Sequence, residues 1–356
     1  MQQQINSHPA GTVFCVASGT YVLEHYVMLK DSNQFICAVR RTCLLTGLDK
    51  YRGALAAEYG TQGHVIRGFI VEHFIAVPGQ WPLAGLQARA NSLIEDNESR
   101  YNQTGIDVFT NMVVRSNFVH HNRQYGISGG PATNVLIEDN ELAWNNTAQY
   151  DPNNDAGGSK IVGSSAGTDK LTWRRNHVHD NFGQGIWSDG NVRHVLYEEN
   201  LIENNTGAGI DHEISWDAVI RNNVLRNNNT AERGLGKSCW HGSQIALNNS
   251  QNVAIYGNTV EAVDTNPLCL ANTVRSEPSV FPQFLANINV TNNIIKMRGT
   301  VYVGMVGNSQ PSNVMFSSNT YYVDTLTGNN WMYMNDMNSA QWQAAGQDVS
   351  GTFLTW

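Results

Sequence analysis

Two short segments carry the densest chemistry in the chain, Gly185-Ile-Trp-Ser-Asp189 and Gly209-Ile-Asp-His-Glu213. Both open on glycine followed by isoleucine. In an extended strand, alternate residues point to opposite faces, so the positions two and four after the glycine share the face that isoleucine does not use. Trp187 and Asp211 occupy plus two, and Asp189 and Glu213 occupy plus four. On neighbouring strands the two carboxylates would stand about 5 Å apart, the spacing at which one carboxyl serves as acid and the other as nucleophile or base toward a glycosidic bond. The spacing leaves open which residue takes which role. The plainer reading of the same residues is a solvated acidic patch screened by Lys160.

Other glycines extend this register. Gly105-Ile106 and Gly126-Ile127 repeat the pattern, and Gly158 and Gly242 are taken as equivalents where it is less regular. The plus-two column then reads Asp107, Ser128, Lys160, Trp187, Asp211 and Gln244, and the plus-four column ends Asp189, Glu213, Ala246. Lys160, Trp187, Asp189, Asp211 and Glu213 therefore gather on one solvent-facing surface, with Trp187 as a platform for a sugar ring or a cover for the sheet. His212, at plus three, is expected to face inward beside Ser188 as a core histidine, the alternative being contact with substrate or with Glu213. Inserted loops at about 146–157, 229–241 and 264–286 would wall this face into a groove. They bring Tyr150, Arg233, Lys237, Trp240 and Arg275, of which Arg233, Lys237 and Trp240 are expected to bind substrate. The pairs His120-His121 and His177-Val-His179 have no evident third ligand, so no metal site is assigned to them.

The elements that position these residues come from a repeat. An apolar residue, two mostly polar residues and asparagine recur, placing Asn97, Asn117, Asn140, Asn176, Asn200, Asn223, Asn258, Asn293 and Asn319 at separations of 20, 23, 36, 24, 23, 35, 35 and 26 residues. Ile66-Arg-Gly-Phe69 is a degenerate earlier copy. A second asparagine follows five residues after several of these, as in Asn117 with Asn122 and Asn200 with Asn205. The stretches between are short, β-branched and alternating, which excludes a helical repeat. Asparagine tolerates the left-handed bend between two short strands, and stacked coils would line its amides into ladders.

The three marks together, Asn, Asn five residues on and Gly-Ile, resemble the right-handed parallel β-helix repeat of the pectate-lyase-like superfamily of carbohydrate-active enzymes, over roughly residues 60–320. The fold class expected is all-β, a right-handed single-stranded parallel β-helix with inserted loops. Residues 1–60 would form the N-terminal cap and first coils, 61–325 the solenoid, and 326–356 a capping extension whose Trp331, Trp342 and Trp356 cover the last coil, all within one domain. Asp155-Ala-Gly-Gly-Ser-Lys160, followed one coil later by Gly185-Ile-Trp-Ser-Asp189, is similar to the part of certain calcium-dependent β-helical pectate lyases where a lysine is the general base. Those enzymes gather several aspartates around calcium beside that lysine, whereas here only Asp151 and Asp155 precede it.

Composition narrows the partners. The 356 residues carry a net charge of -8 with 15% charged residues, opposite in sign to the surface that neutralises phosphates, so nucleic acid is excluded. No apolar run approaches the roughly 20 residues that insert into a membrane. No charged start, apolar stretch and small-residue cleavage site opens the sequence, and a secreted or cell-surface protein whose leader has been removed is expected. Cys15 with Cys37 and Cys239 with Cys269 are each separated by about one coil, so two disulfides are expected, with Cys43 left over or competing with Cys37. The function expected is cleavage of glycosidic bonds in a polysaccharide or oligosaccharide, with hydrolysis by Asp189 and Glu213 favoured and no cofactor required. The alternatives are β-elimination of a uronate with Lys160 as base, assisted by a divalent cation such as calcium, and a non-catalytic glycan-binding or surface module.

Overall fold

The computed structural model describes residues 1–57, 59–78, 83–234, 242–275, 280–299, 301–307 and 311–356. Short strands succeed one another around a solenoid, and each pairs in parallel with the strand one coil before and one coil after it. Three sheets result. The first has 12 strands, from Val13–Val16 to Ser312–Ser317, and the second 13, from Gly19–Val22 to Thr352–Thr355. The third also has 13, from Val27–Leu29 to Asp336–Met337, and ends on an antiparallel pair. This is a right-handed parallel β-helix, so the fold class expected from the repeat holds.

The repeated asparagines explain why each coil stacks on the next. Asn176 is representative: its Oδ1 accepts from the backbone N–H of Asn140 at 3.1 Å and from Asn140 Nδ2 at 3.1 Å, while its Nδ2 donates to Ile137 O at 2.9 Å and to Asn200 Oδ1 at 3.0 Å. The same links join Asn97 through every predicted asparagine to Asn319, whose Nδ2 donates to Asp348. Phe69, in the degenerate copy, donates its backbone N–H to Asn97 Oδ1 at 3.0 Å. A second ladder runs from Asn122 through Asn145, Asn181, Asn205 and Asn228 to Gln244. These amides are buried, and each satisfies backbone groups that the bend between sheets would otherwise strand.

The glycines are required by close approach. A Cβ on Gly158 would meet Gly185 O at 2.6 Å, and one on Gly185 would meet Gly209 O at 2.7 Å. Inside the coils lies one continuous apolar core, with columns such as Ile106, Ile127, Ile186, Ile210 and Ile245. The bulky Trp173 and Tyr197 of the first sheet are both fully buried, in the coils where the third sheet points Ser159, Ser188 and His212 inward. The helix α1 (Gln2–Ser7) buries Ile5 against the first coils. At the other end α2 (Ser339–Ala344), closed by a capping box at Asn338, buries Trp342 beside Phe316. Trp331 is buried, while Trp356 is exposed. No helix among the described residues is long and apolar enough to cross a membrane.

The disulfide expectation is corrected. Cys37 is bonded to Cys43, and Cys15 is a free, exposed thiol. The coil spacing of Cys15 and Cys37 was right but the parity was not: Cys15 lies beside Ile36 and points outward, whereas Cys37 lies beside Val16 and points in. Cys269 is disulfide-bonded, and its expected partner Cys239 lies outside the described residues.

Candidate active site

The outer face of the third sheet holds the residues singled out by register. Strands Gly157–Val162, Ile186–Asp189 and Ile210–Glu213 pair in order, with Trp187 beside Asp211 and Asp189 beside Glu213. Asp189 and Glu213 thus occupy one face on adjacent coils. Each carboxylate meets its own cation: Asp189 Oδ2 is 2.9 Å from Lys160 Nζ, and Glu213 Oε1 accepts from Arg275 Nη2 at 2.8 Å. The like-charge repulsion expected between the two acids is therefore answered twice over by fixed positive charge.

Lys160 is only 8% exposed. Besides Asp189, its ammonium donates to Asn154 O at 2.5 Å and lies 3.6 Å from the Trp187 ring centroid. An anion, a carbonyl and an aromatic face together suit a held cation. Trp187 is 1% exposed, so it is a buried support for that cation and not an open sugar platform. Asp211 is fully buried and accepts from Asn248 Nδ2 at 3.1 Å. The insertion before Gly157 folds back over this face: Asp155 accepts from the Tyr125 hydroxyl and from Gln124 Nε2, and Gln103 Nε2 donates to the Tyr150 hydroxyl at 3.0 Å. Burial, then the carboxylates of Asp155 and Asp189, push the Tyr125 phenol far above its ordinary range, so it keeps its proton.

His212 takes the inward position expected of it beside Ser188, and its alternative role at the substrate falls away, while other expectations change. His212 is inside the solenoid at 0% exposure, with Nδ1 3.1 Å from the Tyr197 hydroxyl, which itself donates to Ser188 at 2.6 Å. Burial lowers its pKa to about 3, which keeps the imidazole neutral and removes it from the substrate-binding set. The last coil of the register was displaced by two residues: Ala246 pairs with Asp211 and Asn248 with Glu213. Gln244 takes the glycine position there, because its side chain closes the second asparagine ladder. The third wall is shorter than expected, since Asn266–Asn272 is a strand of the third sheet. Arg233 lies exposed beyond a short 3-10 turn, Thr230–Glu232. Lys237 and Trp240 lie outside the described residues.

Sequence reasoning missed Tyr125, Asn248 and the carbonyl of Asn154, and it gave Arg275 no partner. Tyr125 has a signal in the sequence, since it directly precedes Gly126 in the register. No group of three His, Cys, Asp or Glu side chains among the described residues is arranged as metal ligands. Asp155, Asp189 and Glu213 are each engaged by a protein donor or cation, so the calcium of the lyase comparison does not fit this arrangement.

Residues 160–333 match a family described as right handed beta helix region. Among solved structures, the A-module of the Azotobacter vinelandii mannuronan C-5 epimerase AlgE6 superposes with a TM-score of 0.68 at 15% identity, covering 100% of this chain and 93% of that one. A mannuronic acid specific polysaccharide family 6 lyase from human gut microbiota gives 0.61 at 12%, covering 100% and 88%. Gene product 12 of bacteriophage phi29 gives 0.65 at 13%, covering 90% and 50%. At these identities the likeness is one of fold. No curated protein matches the sequence.

Proposed function

We propose that this chain is a carbohydrate-active enzyme that processes an acidic polysaccharide by proton transfer at a uronate, with β-elimination as the outcome, on the outer face of the third sheet. The observation that carries this reading is the pair of sheltered ion pairs on adjacent coils, Lys160 with Asp189 and Arg275 with Glu213. A sugar carboxylate arriving at Lys160 exchanges with Asp189 as the ammonium's anion, so one carboxylate replaces another without leaving a cation uncompensated. Asp189, released beside the bound sugar, is placed to take the proton next to the sugar carboxylate. Charge building up on that carboxylate is met by Lys160 and Arg275. The C4–O bond breaks, a C4–C5 double bond forms, and the protonated Tyr125 phenol supplies the proton to the leaving oxygen. Lys160 thereby acts as the carboxylate-binding cation and not as the base.

This order reverses the preference for hydrolysis, which rested on Asp189 and Glu213 standing close enough to serve as acid and as nucleophile or base. The epimerase and the lyase that share the fold are described as acting on mannuronan and mannuronic acid, which agrees with a uronate as substrate. A disulfide at Cys37 and Cys43 suits an oxidising compartment outside the cytoplasm. The test is a panel of polymannuronate, polygalacturonate and a neutral β-glucan, followed by ultraviolet absorbance of unsaturated ends and by reducing-end release. Absorbing ends from an acidic polymer, lost in Lys160→Ala, are expected. Reducing ends without absorbance would overturn elimination in favour of hydrolysis by Asp189 and Glu213.

A further inference from the structure

The corner between the second and third sheets is turned in each coil by one residue in the left-handed region. Along the solenoid this column reads Asp49, His73, Tyr101, His121, Trp144, Asp180, Asn204, Asn227 and Asp264, all with φ between 52° and 60°, as at Tyr101 (55°) and Trp144 (53°). Asp, Asn and His adopt that conformation more readily than other residues, whereas Tyr and Trp disfavour it. Four consecutive coils nevertheless place rings there, and the coils on both sides return to Asp or Asn. The fold does not need the rings, and strained positions of this kind concentrate at sites of function.

The four rings form one continuous row. His73 stacks on Tyr101 at 5.2 Å between centroids, Tyr101 meets His121 at 5.4 Å, and His121 meets Trp144 at 5.1 Å. Tyr101 and Trp144 are 39% and 41% exposed, and neither the Tyr101 hydroxyl nor Trp144 Nε1 has a protein partner among the described residues. His73 and Tyr101 are stacked and the other two pairs tilted by 45° and 34°, so the rings cover much of one another's faces and leave edges and the polar tips of Tyr101 and Trp144 for a ligand. On the second-sheet side the row is bordered by His120, 5.0 Å from His121, and by His179, 5.2 Å from Trp144, and by Glu72, Glu98 and Arg100, which form their own ion pairs. An elongated line of rings over four coils, bordered by charges that are already paired, does not suit a membrane or a broad apolar partner. It suits a linear polymer of rings whose hydroxyl oxygens meet the Tyr101 hydroxyl and Trp144 Nε1 along its length, while His73 Nδ1 is held by Asp49 and His121 Nδ1 by His120.

We infer that this row is a second, non-catalytic glycan-binding site, which holds the polysaccharide outside the groove. It rests on the proposed function for the identity of its ligand. Trp144 belongs to the same coil as Lys160, and the insertion that covers Lys160 begins just after it, at Asn146. The row therefore runs from the outer side of that wall toward the N-terminus, separate from the ion pairs in the groove.

The test uses Tyr101→Asn and Trp144→Asn, singly and together, in the full chain. Asparagine suits the left-handed bend, so melting temperature is expected to hold or rise. Retention in native gels containing polymannuronate, polygalacturonate or β-glucan is expected to weaken by roughly tenfold per ring for the polymer that the protein binds. Turnover of a short oligosaccharide of that polymer, which fills only the groove, is expected to stay unchanged. Unaltered retention in the double variant, or retention in none of the three gels, overturns the site. A fall in melting temperature also overturns it, by showing that the rings support the fold. The groove is read separately: if Lys160→Ala keeps full turnover while the ring variants lose retention, the groove assignment fails and the ring site stands.

Discussion

Replacing Asn176 with alanine tests whether the amide ladder holds the coils together. Asn176 is 1% exposed and makes four side-chain hydrogen bonds. Two of the partners keep another bond: Asn140 Nδ2 still reaches Val114 O at 2.9 Å, and Asn200 Oδ1 still receives the Asn176 backbone N–H at 2.9 Å. The Asn140 backbone N–H loses the acceptor it had in Asn176 and stays buried, at about 1–3 kcal/mol, and the remaining lost bonds contribute about 0.5–1.5 kcal/mol each. A loss of about 3–7 kcal/mol follows, a large share of the roughly 5–15 kcal/mol that separates folded from unfolded domains. Urea denaturation followed by circular dichroism measures it, with Asn313→Gly as a control at an exposed left-handed turn, where a change below about 0.5 kcal/mol is expected. A loss under about 1 kcal/mol at Asn176 would refute the account of the ladder as a stabilising element.

Three further outcomes are expected. Lys160→Ala and Glu213→Gln should each lower turnover by about a hundredfold or more on the true substrate, measured by initial rates, because both disturb groups at the reacting sugar. His212, neutral when folded and binding a proton near pH 6.5 when unfolded, contributes stability that is complete above pH 6.5 and lost as pH falls toward about 3; a His212→Gln variant should show a shallower decline in melting temperature across that window. Alkylation of the native, unreduced protein should label Cys15 and leave Cys37, Cys43 and Cys269 unlabelled, as read by peptide mass spectrometry.

What the sequence disclosed follows from what repeats. The nine asparagines and the Gly-Ile pairs obey one geometric rule in coil after coil, so fold class, ladder and the shared face of Asp189 and Glu213 could be read from spacing. Gln244 was misplaced because it breaks the rule for a local reason, the end of a ladder, after an insertion that hides the count. Cys15 and Cys37 misled because coil length alone does not give parity. The partners of the site residues were invisible for a different reason. Arg275 reaches Glu213 across 62 residues and Asn154 reaches Lys160 from an insertion, and neither contact has a period. The contact between Tyr197 and His212 crosses the core, where what matters is the combined width of facing side chains.

The first asparagine ladder also gives the solenoid a direction. Every amide along it donates its N–H toward the C-terminal neighbour and offers its oxygen to the preceding one, so the side-chain dipoles add head to tail from Asn97 to Asn319. Such a chain accumulates positive potential at the end where its last donors point. There stands Asp348, buried, accepting from Asn319 through both carboxylate oxygens and from the Tyr321 hydroxyl. The anion answers the polarity of the whole row, as a carboxylate does at the start of a helix. The two ends of the molecule are therefore not interchangeable: a coil grafted at the N-terminal end need only repeat the asparagine, whereas one grafted at the C-terminal end must carry the negative charge with it.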